Sequence, residues 1–150
     1  GDATPSPAPG AGGVAFLNSF GDDPGTGTDI PCFVFDLGAA KYIADASVHE
    51  VGHTLGLNHD GRTIPREEYY RGHGPLSPNP VGWAPHMGVG YDRELVQWSK
   101  GEYPNSSNKE DDLLKITTAA GNGFGYRTDD FANSLTQANS ANPISGSGLN

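Results

Sequence analysis

The stretch SVHEVGHTLGLNHDG, residues 47–61, holds three of the five histidines of a 150-residue chain. Around it, Ala44, Val48, Val51 and Leu55 recur at i, i+4, i+7 and i+11, which predicts a helix from Ala39 to about Leu55 with one apolar stripe. His49 and His53 are four residues apart and so stand side by side on the flank of that helix. Gly52 weakens its interior. Gly56 follows Leu55 where a left-handed C-terminal turn favours glycine, and such a turn carries His59 back towards the other two histidines.

Neutral imidazole is a good zinc ligand, and catalytic zinc keeps three protein ligands and one open position. Two histidines on a rigid helical rung and a third returned by a glycine turn meet that demand. Glu50, beside His49, is placed to reach a metal-bound water without binding the metal itself. Three His, one Glu and one Gly at these offsets arise by chance on the order of once in 10⁵ such chains. Three merely solvated histidines are a poor explanation by comparison.

The segment HEVGHTLGLNHD resembles the extended zinc signature of the metzincin metalloproteases, H-E-x-x-H-x-x-G-x-x-H. The Asp after the third His makes it most similar to the adamalysin/reprolysin branch. The chain's single methionine, Met87 in WAPHMGVGY, falls where a Met-turn would lie. The resemblance covers roughly residues 12–125. It implies an α+β, metzincin-like zincin with a small mixed sheet above the zinc-binding active-site helix. Below that helix would lie an irregular lower subdomain with the Met-turn and a C-terminal helix. It further implies that His49, His53 and His59 bind one catalytic Zn²⁺, that Glu50 is general base and acid, that Met87 floors the site and that Asp60 is a structural acid. An extended peptide or protein substrate would add as a strand to the edge GGVAFLNSF (12–20), with Trp83–Tyr91 on the leaving-group side. Some metzincins carry a tyrosine ligand two residues after the Met; here that position is Val89, and the role does not pass to Tyr91. Only 48 residues precede His49, which suggests a catalytic domain with a partial upper subdomain, cut from a longer exported precursor that carries further domains. A zinc-binding module that recognises peptides without cleaving them is the alternative, and the intact Glu50 argues against it.

Outward from the motif, residues 1–12 read as a flexible lead-in, 13–125 as the catalytic domain and 126–150 as a tail or linker. IPCFVFDL (30–37) reads as a buried strand. Residues 60–82 form a long loop region with one helical turn at Glu67–Tyr70. NKEDDLLKITTAA (108–120) reads as a helix capped by Asn108. Cys32 is the lone cysteine, best explained as a small buried residue, with a half-cystine paired outside the chain as the sharper alternative. His86 reads as a polar turn residue near the cleft, because closing the fourth position would abolish hydrolysis, and His73 as an exposed loop residue. Calcium at Asp22, Asp23 and Asp29 fits no defined loop. Tyr91, Trp98 and Tyr103 are expected to pack in the lower subdomain.

A net charge of −9 with no basic cluster excludes nucleic acid as a partner. No apolar run is long enough to span a bilayer. Acidic, Gly/Pro-rich composition and the resemblance point to a secreted protein, although no signal peptide is visible in GDATPSPAPGAGG.

Overall fold

Helix α1 runs from Ala40 to Thr54 and positions everything else. In this computed structural model the described residues are 8–21, 30–76, 81–118 and 122–126. Ala39, in extended conformation, precedes α1 without a side-chain cap. The C-terminus is closed more fully. Gly56 adopts φ +93°, its N–H donates to the His53 carbonyl at 2.9 Å, and the Leu57 N–H donates to the Gly52 carbonyl at 3.0 Å. These are the paired bonds of a Schellman turn. The Asn18 and Phe20 N–H groups donate to the His53 and Thr54 carbonyls, so the segment after the first strand caps the helix end.

The face that α1 buries is not the expected stripe. Ala44 and Val51 are exposed and Val48 only half-buried, whereas Ala46, Glu50, Gly52 and Thr54 are buried along with Leu55. Small residues explain the difference. Ala46 and Gly52 carry little weight in an apolar count, yet they let neighbouring chain approach the helix most closely. A Cβ at Gly52 would stand 2.5 Å from Met87 Sδ and 3.3 Å from Trp98 Cζ3.

The domain is α+β, but its strands are shorter than expected and form no single mixed sheet. Strand β1 (Gly13–Val14) pairs antiparallel with β2 (Phe33–Val34), Gly13 opposite Val34. The run 30–37 is therefore not a buried strand: only two residues pair, and Phe33 is 56% exposed. With one neighbour and one covered face, β2 has no layer to bury its other side. Cys32, beside it, is half-buried rather than buried.

Strand β3 (Trp83–Pro85) pairs parallel with β4 (Leu95–Gln97), Ala84 opposite Val96. Residues 86–94 join them, fewer than the dozen or so that a parallel connection usually needs. Met87 lies in that connection, fully buried. Glu67–Tyr70 is not helical; Glu67 instead forms an antiparallel bridge with Arg62. Helix α2 is only Asp112–Ile116, and its cap is Asp111, whose carboxylate accepts from the Leu114 N–H. Asn108 spends its side-chain oxygen on the Glu110 N–H two residues on, an Asx-type turn that delays the helix.

Leu55, Leu57, Tyr70, Ala84, Met87 and Tyr103 form the core, with Tyr70 and Tyr103 stacked at 4.3 Å. Trp98 is half-buried against the His86 ring. Tyr91 departs from expectation: it packs on Tyr42 but faces the cleft described below. Among the described residues no helix is long and apolar enough to cross a membrane. The acidic loop with Asp22, Asp23 and Asp29 lies outside the described residues, as does the tail beyond Tyr126.

Candidate metal centre

His49 and His53 project from the last two turns of α1, and the Gly56 turn delivers His59 to them. The ring centroids are 4.8 Å (His49–His53), 4.7 Å (His53–His59) and 5.4 Å (His49–His59) apart. One nitrogen from each ring lies within 4.8 Å of the other two.

The other ring nitrogens decide what these can do. His49 Nδ1 is 2.8 Å from the His86 carbonyl, His53 Nδ1 is 2.8 Å from the Leu57 carbonyl, and His59 Nδ1 is 3.1 Å from Glu68 Oε1. Carbonyl and carboxylate oxygens only accept, so each Nδ1 carries the proton and each Nε2 presents a lone pair. His53 Nε2 and His59 Nε2 stand 3.0 Å apart. Two lone pairs at that distance repel unless a proton or a metal ion lies between them. Tetrahedral zinc with bonds of about 2.0–2.1 Å would set such nitrogens about 3.3 Å apart, close to what is found. Burial, reinforced by the charges on His53 and His59, pushes His49 down to about 4, against the pull of the His86 and Gly88 carbonyls. Burial also lowers His59, partly offset by Glu68. Both rings are therefore neutral, ligand-ready imidazoles at pH 7.

These three histidines can hold a metal ion.

Glu50, one residue from His49, is 7% exposed, and no hydrogen bond engages its carboxylate among the described residues. Burial lifts it to about 7. Strand β1 runs directly over it: a Cβ at Gly13 would meet Glu50 Cγ at 2.5 Å and Oε1 at 2.8 Å, so only glycine leaves room. Both line a cleft of about 410 Å³ with Gly10–Ala15 along one side and the three histidines at its floor.

Met87 lies against α1 at Gly52, between the two helical histidines in sequence. Asp60 is fully buried, and its main chain does the tying: its N–H donates to the Met87 carbonyl at 2.8 Å and its carbonyl accepts from the Tyr70 N–H at 2.7 Å. Its carboxylate is less engaged. Oδ1 is 3.5 Å from the Tyr103 hydroxyl, which is 2.8 Å from the Gly61 carbonyl, and Oδ2 has no partner. Burial and the charge of Asp112 raise Asp60 to about 7.

His86 stands outside the trio; its carbonyl orients His49 while its ring packs on Trp98 at 4.8 Å, tilted by 57°. His73 is exposed and meets the Tyr70 hydroxyl at 3.2 Å. Two residues of the site escaped the sequence reading. Glu68 holds His59, and the Tyr69 ring lies 4.3 Å from His59 and 6.1 Å from His49. An acid and an aromatic nine and ten residues after the last histidine, in a loop, carry no periodic signal; only the fold shows that the loop returns.

No protein-family profile matches this chain, and no curated protein or solved structure shows significant similarity to it.

Proposed function

We propose that this chain is a zinc-dependent endopeptidase of metzincin type, secreted from its cell. The observation that carries the reading is the trio of locked imidazoles, their Nε2 lone pairs turned inward, beside an unengaged buried carboxylate in an open cleft. Three imidazole nitrogens with an open fourth position suit zinc better than a hard, oxygen-seeking cation. Zinc held by His49, His53 and His59 would supply Lewis acidity, acidifying a water and polarising a peptide carbonyl.

The chain's own residues supply the rest. Glu50, with its affinity for protons lifted to about 7, is tuned to take a proton from the attacking water and return it to the leaving amine. The glycine pair Gly12–Gly13 brings bare main chain over that carboxylate, where an extended peptide can lie along it. The His86, Leu57 and Glu68 oxygens hold the imidazoles so that little reorganisation accompanies metal binding.

Glu50→Gln tests the assignment. Metal content is expected to stay at the wild-type level while peptide cleavage falls by about 10²–10⁴. Cleavage at the wild-type rate would remove Glu50 from the mechanism. A peptide-binding module without catalysis is favoured by the two-residue strands, which give little rigid platform. Bound zinc and peptide affinity with no turnover would select it.

A further inference from the structure

Hydrolysis of an amide builds negative charge on the carbonyl oxygen, and enzymes meet it with a fixed donor aimed at that charge. The polar side chains lining the cleft are few: the three histidines, Glu50, Tyr69 and Tyr91. The histidines have committed their protons to His86, Leu57 and Glu68, and Glu50 has to accept a proton in the same step. Two phenols remain. Tyr91 lies under the edge strand, its hydroxyl 2.5 Å from where a Gly12 Cβ would stand, and its ring is packed on Tyr42 at 4.9 Å. Tyr69 lies on the other side, against His59 and His49 themselves.

Tyr69 is also built unlike a core residue. Its neighbour Tyr70 is 4% exposed, stacked on Tyr103, with its hydroxyl engaged by His73. Tyr69 is 38% exposed, and its hydroxyl has no hydrogen-bond partner among the described residues. An aromatic that lines the cleft against two of the histidine rings, its hydroxyl unpartnered among the described residues, has a donor to offer. A phenol keeps its proton at neutral pH, so it donates without adding a charge that would compete with the cation.

We infer that Tyr69 is a catalytic residue that donates its hydroxyl proton as a hydrogen bond to the substrate carbonyl oxygen as that oxygen becomes anionic. This rests on the endopeptidase reading. No bond to Tyr69 forms or breaks; the phenol keeps its proton throughout, and only the strength of the hydrogen bond changes along the reaction. The donor is thus stronger towards the tetrahedral species than towards the planar substrate, the condition for raising kcat.

The test is Tyr69→Phe in the zinc-loaded full chain, which keeps the ring against His59 and deletes one oxygen. With a peptide substrate, kcat is expected to fall by about 10²-fold while KM stays within about twofold. Affinity for a phosphinic alanine tetrapeptide, whose tetrahedral anionic centre imitates the charged oxygen, should weaken by a comparable factor. Zinc affinity, measured by competition with a chromogenic chelator, should match the wild type. Unchanged kcat overturns the inference. So does a loss of zinc affinity large enough to account for the lost rate, which would make Tyr69 a prop for His59. If the wild-type chain cleaves no peptide, the endopeptidase reading fails by itself. The phosphinic peptide then still decides: equal affinity of the two proteins for it, or none in either, overturns the role of Tyr69.

Discussion

Gly52 sits in the middle of a helix, where glycine costs about 1 kcal/mol relative to alanine. Gly52→Ala should therefore stabilise the chain if helix propensity were the only force. The packing opposes it. The added methyl would stand 2.5 Å from Met87 Sδ and 3.3 Å from both Met87 Cε and Trp98 Cζ3. Met87 is fully buried, so its side chain cannot swing into solvent to make room. Overpacking of this kind costs about 1–3 kcal/mol, which leaves Gly52→Ala destabilising by about 1 kcal/mol after the propensity gain. Met87→Ala deletes the obstructing atoms at a cavity cost of about 2–5 kcal/mol. In that background only Trp98 Cζ3, at 3.3 Å, still presses on the methyl and has to give by a few tenths of an ångström, so the propensity gain dominates and Gly52→Ala should stabilise by up to about 1 kcal/mol. The sign of one substitution thus reverses with the identity of one neighbour, a coupling of about 2 kcal/mol. Urea unfolding followed by tryptophan fluorescence, with chelator present so that metal linkage does not enter, measures all four corners of the cycle. A coupling near zero, or stabilisation by Gly52→Ala in both backgrounds, would refute the account of Met87 as the floor beneath the helical histidines.

Glu68→Ala removes the acceptor from His59 Nδ1 and should weaken zinc binding about 10–100-fold in a chelator competition; unchanged affinity would show that Glu68 does not orient the ring. The metal-free chain should melt at a lower temperature at pH 8 than at pH 6. Burial raises Glu50 and Asp60 to about 7 and Asp112 to about 6. The folded chain therefore keeps protons that the unfolded chain has released, and stability falls as pH rises through roughly 4–7 and then levels. His49, lowered to about 4, and His59 and His86, both lowered by burial, work in the opposite direction up to about their unfolded value of 6.5, so they offset part of the decline between pH 6 and 7. The net drop from pH 6 to 8, carboxyls against histidines, is on the order of 1 kcal/mol, or about 3–5 °C, and Asp60→Asn should reduce it. A melting temperature that rises or stays level from pH 6 to 8 would contradict the burial of these carboxyls.

The candidate metal centre was legible because its geometry is local. His49, His53, Gly56 and His59 lie within eleven residues, and a helical rung with a glycine turn fixes their mutual distances with little help from the rest of the chain. Helix α1 was legible for the same reason, as were its C-terminal turn and the packing role of Tyr103. Its buried face was not, because Ala46, Glu50 and Gly52 are buried for closeness of approach rather than for hydrophobicity, and apolar periodicity does not register that. The strands were over-read. Continuous apolar runs such as CFVF predict pairing along their whole length, but pairing requires a partner, and β1 offers two residues. Glu68 and Tyr69 were out of reach since their place depends on a loop of irregular path, held by the Arg62–Glu67 bridge and the Tyr70 N–H bond to the Asp60 carbonyl. The sequence points to Asn108 as the cap, but the cap is Asp111, whose side chain offers the same chemistry; the Asx-type turn at Asn108 separates the two.

The short link between β3 and β4 ties chain length to chemistry. Within nine residues it must span two parallel strands, deliver the His86 carbonyl to His49 and seat Met87 under Gly52. A residue inserted there has nowhere to bulge without moving one of those two anchors. Engineered insertions and tags therefore belong in the arm around Gly74–Leu76, which is solvent-facing, and a graft between His86 and Glu94 would displace the carbonyl that orients His49 or the methionine that packs on Gly52.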